Sequence, residues 1–61
     1  WQERVVREKA ELDEKLRKLD EFLSQPEDGR VPRDEIELLN EQRHVMSLYS
    51  GVLQSRIDRF T

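Results

Sequence analysis

Gln42, Tyr49 and Arg56 stand seven residues apart in the stretch QRHVMSLYSGVLQSRI, residues 42 to 57. At that spacing an amide, a phenol and a guanidinium form one line along a helix. With Arg43 beside them they supply hydrogen-bond donors, positive forks and an aromatic face. That is the chemistry for holding a phosphate or carboxylate while a base or ring stacks on Tyr49. The same sixteen residues contain no carboxylate, although the chain is 41% charged. A second reading stays open beside the first. Polar groups in an apolar seam also serve to set register, with Arg56 paired to Glu8 or Glu11 and Gln42 and Tyr49 bonded within a bundle.

Other chemistry is harder to assemble. There are no cysteines and only one histidine, so thiolate sites, disulfides and a self-contained zinc site are not expected. No nucleophile–base set, glycine-rich phosphate loop or confined carboxylate pair stands out, and neither an enzyme nor a cofactor is expected. His44 is expected to face solvent. Trp1 reads either as a terminal packing residue or as an anchor at a partner surface.

The element that must carry this line is a long helix opening near Pro32, since proline suits a helix start. With Leu39, Met46, Leu53 and Phe60 at heptad position a, the polar trio falls at d, Arg43 and Ser50 at e, and His44 and Gly51 at f. Leu38, Val45 and Val52 fall at g, Ile36 and Ile57 at e, and Leu48 at c. Asp34, Glu35 and Glu37 lie in its first turns, and Arg56 and Arg59 in its last, as the helix dipole favours.

A first helix precedes it. Residues 1 to 24 contain no glycine or proline and are rich in helix formers. Val5, Leu12, Leu16, Leu19 and Leu23 make a narrow apolar stripe, flanked by Trp1, Val6 and Phe22. Glu3/Arg7, Glu11/Lys15, Asp13/Arg17 and Glu14/Lys18 are spaced for ion pairs on the outer side. Between the helices, Pro26 and Gly29 punctuate a break with a turn at Glu27-Asp28-Gly29. The expected fold is therefore all-α: one antiparallel two-helix hairpin, with helices over about 1–24 and 32–60 and a loop over about 25–31.

Sixty-one residues bury too little surface for robust stability alone. The second helix also has more apolar surface than one narrow stripe can cover. Self-association into a helical bundle, a dimer or higher, is expected, with an interface drawn from Leu38, Leu39, Val45, Met46, Val52, Leu53, Ile57 and Phe60. The net charge of −3, with 14 acidic and 11 basic residues interleaved, argues against a nucleic-acid binder. No apolar run approaches the ~20 residues of a membrane span, and no signal-peptide pattern is present. The chain starts at Trp1 and not at methionine, so a few residues are expected to precede it in the natural protein.

The combination Glu11-Leu12, Lys15-Leu16, Leu19, Phe22-Leu23, Leu38-Leu39, Gln42, Met46, Tyr49, Leu53, Arg56-Ile57 and Phe60 resembles a family of small phage and prophage proteins, the crAss-phage-related small protein family. The resemblance spans nearly the whole chain and implies a short helical accessory protein in the cytoplasm of a bacterial host. Helical hairpins among such proteins include the anti-CBASS and anti-Thoeris sponges, which trap nucleotide signals between subunits. That is an analogy of architecture alone. The expected function is accordingly non-enzymatic: binding that antagonises an anti-phage defence by sequestering a nucleotide signal at an inter-subunit groove. The alternatives are an adaptor that binds a host or phage protein through the apolar face of the second helix, or a structural assembly component.

Overall fold

In the computed structural model, which describes residues 1–25 and 31–61, the chain forms two helices, α1 (Gln2–Ser24) and α2 (Arg33–Asp58). The turn expected at Glu27-Asp28-Gly29 lies outside the described residues. α1 starts without a side-chain cap, and its first bond runs from the Val5 N–H to the Trp1 carbonyl at 3.2 Å. It stops at Gln25, which is extended at φ −75 and ψ 149. The reason is local: a following proline excludes the helical conformation for the residue before it.

Pro32 stands one place earlier than expected, at the N-cap and not at the first helical position. Its ring fixes φ at −59, and its carbonyl accepts the Ile36 N–H at 3.1 Å, so it still opens the helix. At the other end Ile57 O accepts the N–H groups of Phe60 and Thr61 and the Thr61 hydroxyl, each at 3.1 Å.

The two helices lie side by side and antiparallel, giving a rod of 45 × 15 × 15 Å. Three cross-helix contacts mark the register. Ser50 Oγ donates to Asp13 at 2.5 Å, Arg43 pairs with Asp20 at 3.4 Å, and the Trp1 ring meets the Phe60 ring edge-on at 5.3 Å and 80°. The aromatic contact closes the open end of the hairpin and contributes about 1 kcal/mol.

The core is thin. Among the described residues only Val5, at 4% exposure, and Leu53, at 0%, are buried. Leu12, Leu16, Leu19 and Leu23 from α1, Ile36, Leu39, Met46 and Ile57 from α2, and Phe60 just beyond α2 are half-buried around them. α1 therefore covers the a and e positions of α2. Gly51 lies on the solvent side, where an added Cβ meets nothing within 4 Å, so no close helix crossing is built on it.

The register is legible in the e positions once both helices are aligned. Val6, Asp13 and Asp20 ascend α1 in steps of seven, and Ile57, Ser50 and Arg43 descend α2 in the same steps. Antiparallel packing sets the two ladders against each other.

Candidate functional site

Because α1 takes the a and e positions, the d line of α2 turns away from it. Each residue rotates about 100° around a helix, so d lies roughly 60° to one side of a and roughly 100° from e. Gln42, Tyr49 and Arg56 are consequently solvent-exposed, Tyr49 at 44%. The pairing of Arg56 with Glu8 or Glu11 within one hairpin does not form. Among the described residues neither Arg56 nor the Tyr49 hydroxyl has a side-chain partner; the contacts that do form lie elsewhere. Among the described residues the Gln42 amide approaches only the Met46 sulfur at 3.8 Å, a weak bond.

Arg43 does not join this line. It sits on the exposed edge of α2 nearest α1, where its guanidinium pairs with Asp20 across the hairpin. Residues Gln42, Tyr49 and Arg56 are brought onto one face, spaced about 10 Å apart by the 1.5 Å rise per residue. His44 is exposed, as expected of position f, beside Leu16, Asp20, Arg43 and Ser47.

Next to the polar line runs an apolar one. Leu38, Val45 and Val52 at g, with Leu48 at c, are all exposed, Val45 at 61% and Val52 at 57%. The eight α2 residues expected at an oligomer contact thus divide. Leu39, Met46, Leu53, Ile57 and Phe60 belong to the seam with α1, and Leu53 is wholly covered there, leaving nothing for a partner. Leu38, Val45 and Val52 remain outside. The physical reason is that α1 is one narrow stripe and can cover only one of the apolar stripes on α2.

The residues that fix the hairpin were only partly legible. Asp13 was expected to pair with Arg17 four residues on. It instead accepts from Lys9 and Ser50, both at 2.5 Å, and Arg17 bridges Glu14 at 2.6 Å and Glu21 at 2.5 Å. The ion pairs formed among the described residues also leave out Glu3/Arg7, Glu11/Lys15 and Glu14/Lys18. Exposed pairs of this kind differ by tenths of a kcal/mol, so local geometry decides between them.

The hydrogen bonds from Lys9 first and Ser50 second hold the Asp13 carboxyl below its ordinary value of 3.8. A carboxylate favoured by the fold stabilises it above that ordinary value and loses its effect as pH falls through the lower folded value. Asp13→Asn is therefore expected to reduce the acid sensitivity of the hairpin below about pH 4, followed by circular dichroism melts across the acid range. The increment is small because the Asp13 side chain is 41% exposed. An unchanged acid limb in Asp13→Asn would contradict it.

The fold and its open face define a small all-helical protein whose longer helix presents an apolar line and a polar line together. The sequence model of the Sequestin family matches residues 1–59, and the chain belongs to that family. The family name is consistent with a binding or sequestering role. No curated protein and no solved structure matches the chain. Among the described residues no helix is long and apolar enough to cross a membrane.

Proposed function

We propose that this protein is a non-enzymatic phage accessory protein that sequesters a phosphorylated nucleotide signal in the cytoplasm of a bacterial host, and so blunts an anti-phage defence. The chain self-associates through Leu38, Val45 and Val52, and the ligand lies in the groove beside that contact. Tyr49 stacks on the base, Arg56 engages phosphate and Gln42 hydrogen-bonds. Arg43 serves the hairpin instead.

One observation carries the reading. Gln42, Tyr49 and Arg56 line one exposed face, with the Arg56 guanidinium and the Tyr49 hydroxyl unpartnered among the described residues, directly beside an uncovered apolar line. A guanidinium in that setting favours an anion, and an aromatic ring about 10 Å along the same helix suits the far end of a nucleotide. The family name adds support from an independent direction.

The test is a thermal-shift screen against cyclic dinucleotides, cyclic trinucleotides and ADP-ribose derivatives. A ligand at about a hundred times its Kd contributes roughly 2.7 kcal/mol. In a domain of this size that is a Tm rise of about 10 °C or more. Arg56→Ala is expected to abolish the rise while leaving the unliganded melt nearly unchanged, since Arg56 is exposed. No rise with any ligand, or the same rise in Arg56→Ala, overturns the reading.

A further inference from the structure

The open end of the hairpin differs in charge from the rest of the rod. Residues 1–10 and 54–61 lie together there, with Trp1 against Phe60, and carry five basic and three acidic side chains. The rest of the chain carries six basic and eleven acidic ones. A basic end on an acidic chain draws small anions toward itself.

At this end Trp1, Glu3, Arg4 and Arg7 line a groove of about 260 Å³ along the start of α1. Each of the four side chains is open to a ligand. Trp1 is 77% exposed and its contact with Phe60 is edge-on, so at least one face of the indole stays uncovered. Arg4 and Arg7 lie one turn apart, where like charges repel, and neither joins an ion pair among the described residues. Glu3 precedes Arg7 by four residues, the spacing that favours pairing, yet that bond does not form.

We infer that this groove is a second binding site, and that it takes a nucleoside monophosphate. The base stacks on Trp1, the guanidinium forks of Arg4 and Arg7 hold the phosphate, and the Glu3 carboxylate accepts from the ribose hydroxyls. Glu3 decides between ligand classes. A carboxylate beside two arginines weakens a site for bare phosphate, whereas a sugar hydroxyl gives it a donor.

Size sets the upper limit. The groove is smaller than the ~300–1,000 Å³ of pockets that take drug-sized ligands. One nucleotide suits it, and cyclic di- and trinucleotides exceed it. The site lies on α1, apart from Gln42, Tyr49 and Arg56, and stands without the reading given to them.

Trp1 is the one tryptophan of the chain, so its fluorescence reports on this groove. Adenosine monophosphate, titrated with correction for its own absorbance, is expected to quench that fluorescence to a plateau. Adenosine lacks the phosphate and ribose 5-phosphate lacks the base, and each is expected to bind at least about tenfold more weakly. Arg4→Ala and Arg7→Ala should each raise the Kd for adenosine monophosphate about tenfold. Both side chains are exposed and alanine is the better helix former, so circular dichroism should show the helices intact. Arg56→Ala should leave the titration unchanged, which separates failure here from failure of the site on α2. Quenching without saturation, as for free tryptophan amide, overturns the second site. Equal Kd values for adenosine and its monophosphate, an unchanged Kd in both arginine variants, or loss of binding in Arg56→Ala overturns it as well.

Discussion

Leu53→Ala is expected to unfold most of the protein at ambient temperature or lower its Tm by about 10 °C or more, measured by far-ultraviolet circular dichroism. Leu53 has no exposed surface, and few residues share its layer. Replacing a fully buried leucine by alanine costs about 2–5 kcal/mol, through lost transfer energy and the cavity left behind. A chain of 61 residues has a total stability of roughly 3–9 kcal/mol at the usual ~0.05–0.15 kcal/mol per residue. The loss is thus a large fraction of the whole. Val52, the adjacent residue, is the natural comparison. It is 57% exposed in the hairpin, so Val52→Ala removes little packing against α1. Equal Tm values for Leu53→Ala and the unsubstituted chain would mean that α1 does not cover the a and e positions.

Val45→Asp is expected to produce the second large effect, dissociation to monomer with the hairpin still helical. Val45 is 61% exposed, so the hairpin itself loses little. In the self-association proposed above, however, the new carboxylate is carried into the apolar contact made by Leu38, Val45 and Val52. Burying a charge against apolar side chains is strongly unfavourable, and the Val45 side chain's own burial in the contact is lost with it. The variant should sediment as a monomer, and its Tm should lose the concentration dependence that dimerisation confers. Val52→Lys alone should behave alike. Retained helicity in the monomeric variant separates an association defect from general damage. A Val45→Asp chain that remains dimeric places the association surface elsewhere.

Both effects turn on how much of the arrangement was readable beforehand. Two helices, their approximate ends and the α1 stripe of Val5, Leu12, Leu16, Leu19 and Leu23 follow from periodicity and from the punctuation at Pro26, Gly29 and Pro32. The excess apolar surface of α2 was equally plain. What periodicity does not settle is which stripe of a broadly apolar helix meets a given partner. Leu38, Leu39, Val45, Met46, Val52 and Leu53 all look alike as apolar residues on neighbouring lines.

The hairpin resolved that ambiguity through polar groups at its edge. Asp13 and Asp20 border the α1 stripe, and a carboxylate there gains modestly from a donor across the hairpin. Ser50 and Arg43 supply these donors when α2 turns its a and e positions inward, the rotation that also buries Leu53. That rotation takes Arg43 out of the candidate site and carries Gln42, Tyr49 and Arg56 to the open face, although the sequence had grouped all four as one candidate site.

The sequence by itself determined the two helices, their amphipathic stripes and the presence of a polar line on α2. Only the tertiary structure decided that α1 covers Leu39, Met46, Leu53, Ile57 and Phe60 and leaves Leu38, Val45 and Val52 in solvent beside that polar line. The physical reason is that the lines of a helix are fixed by its 3.6-residue turn, while its rotation against a neighbour is fixed by cross-helix contacts far apart in the chain.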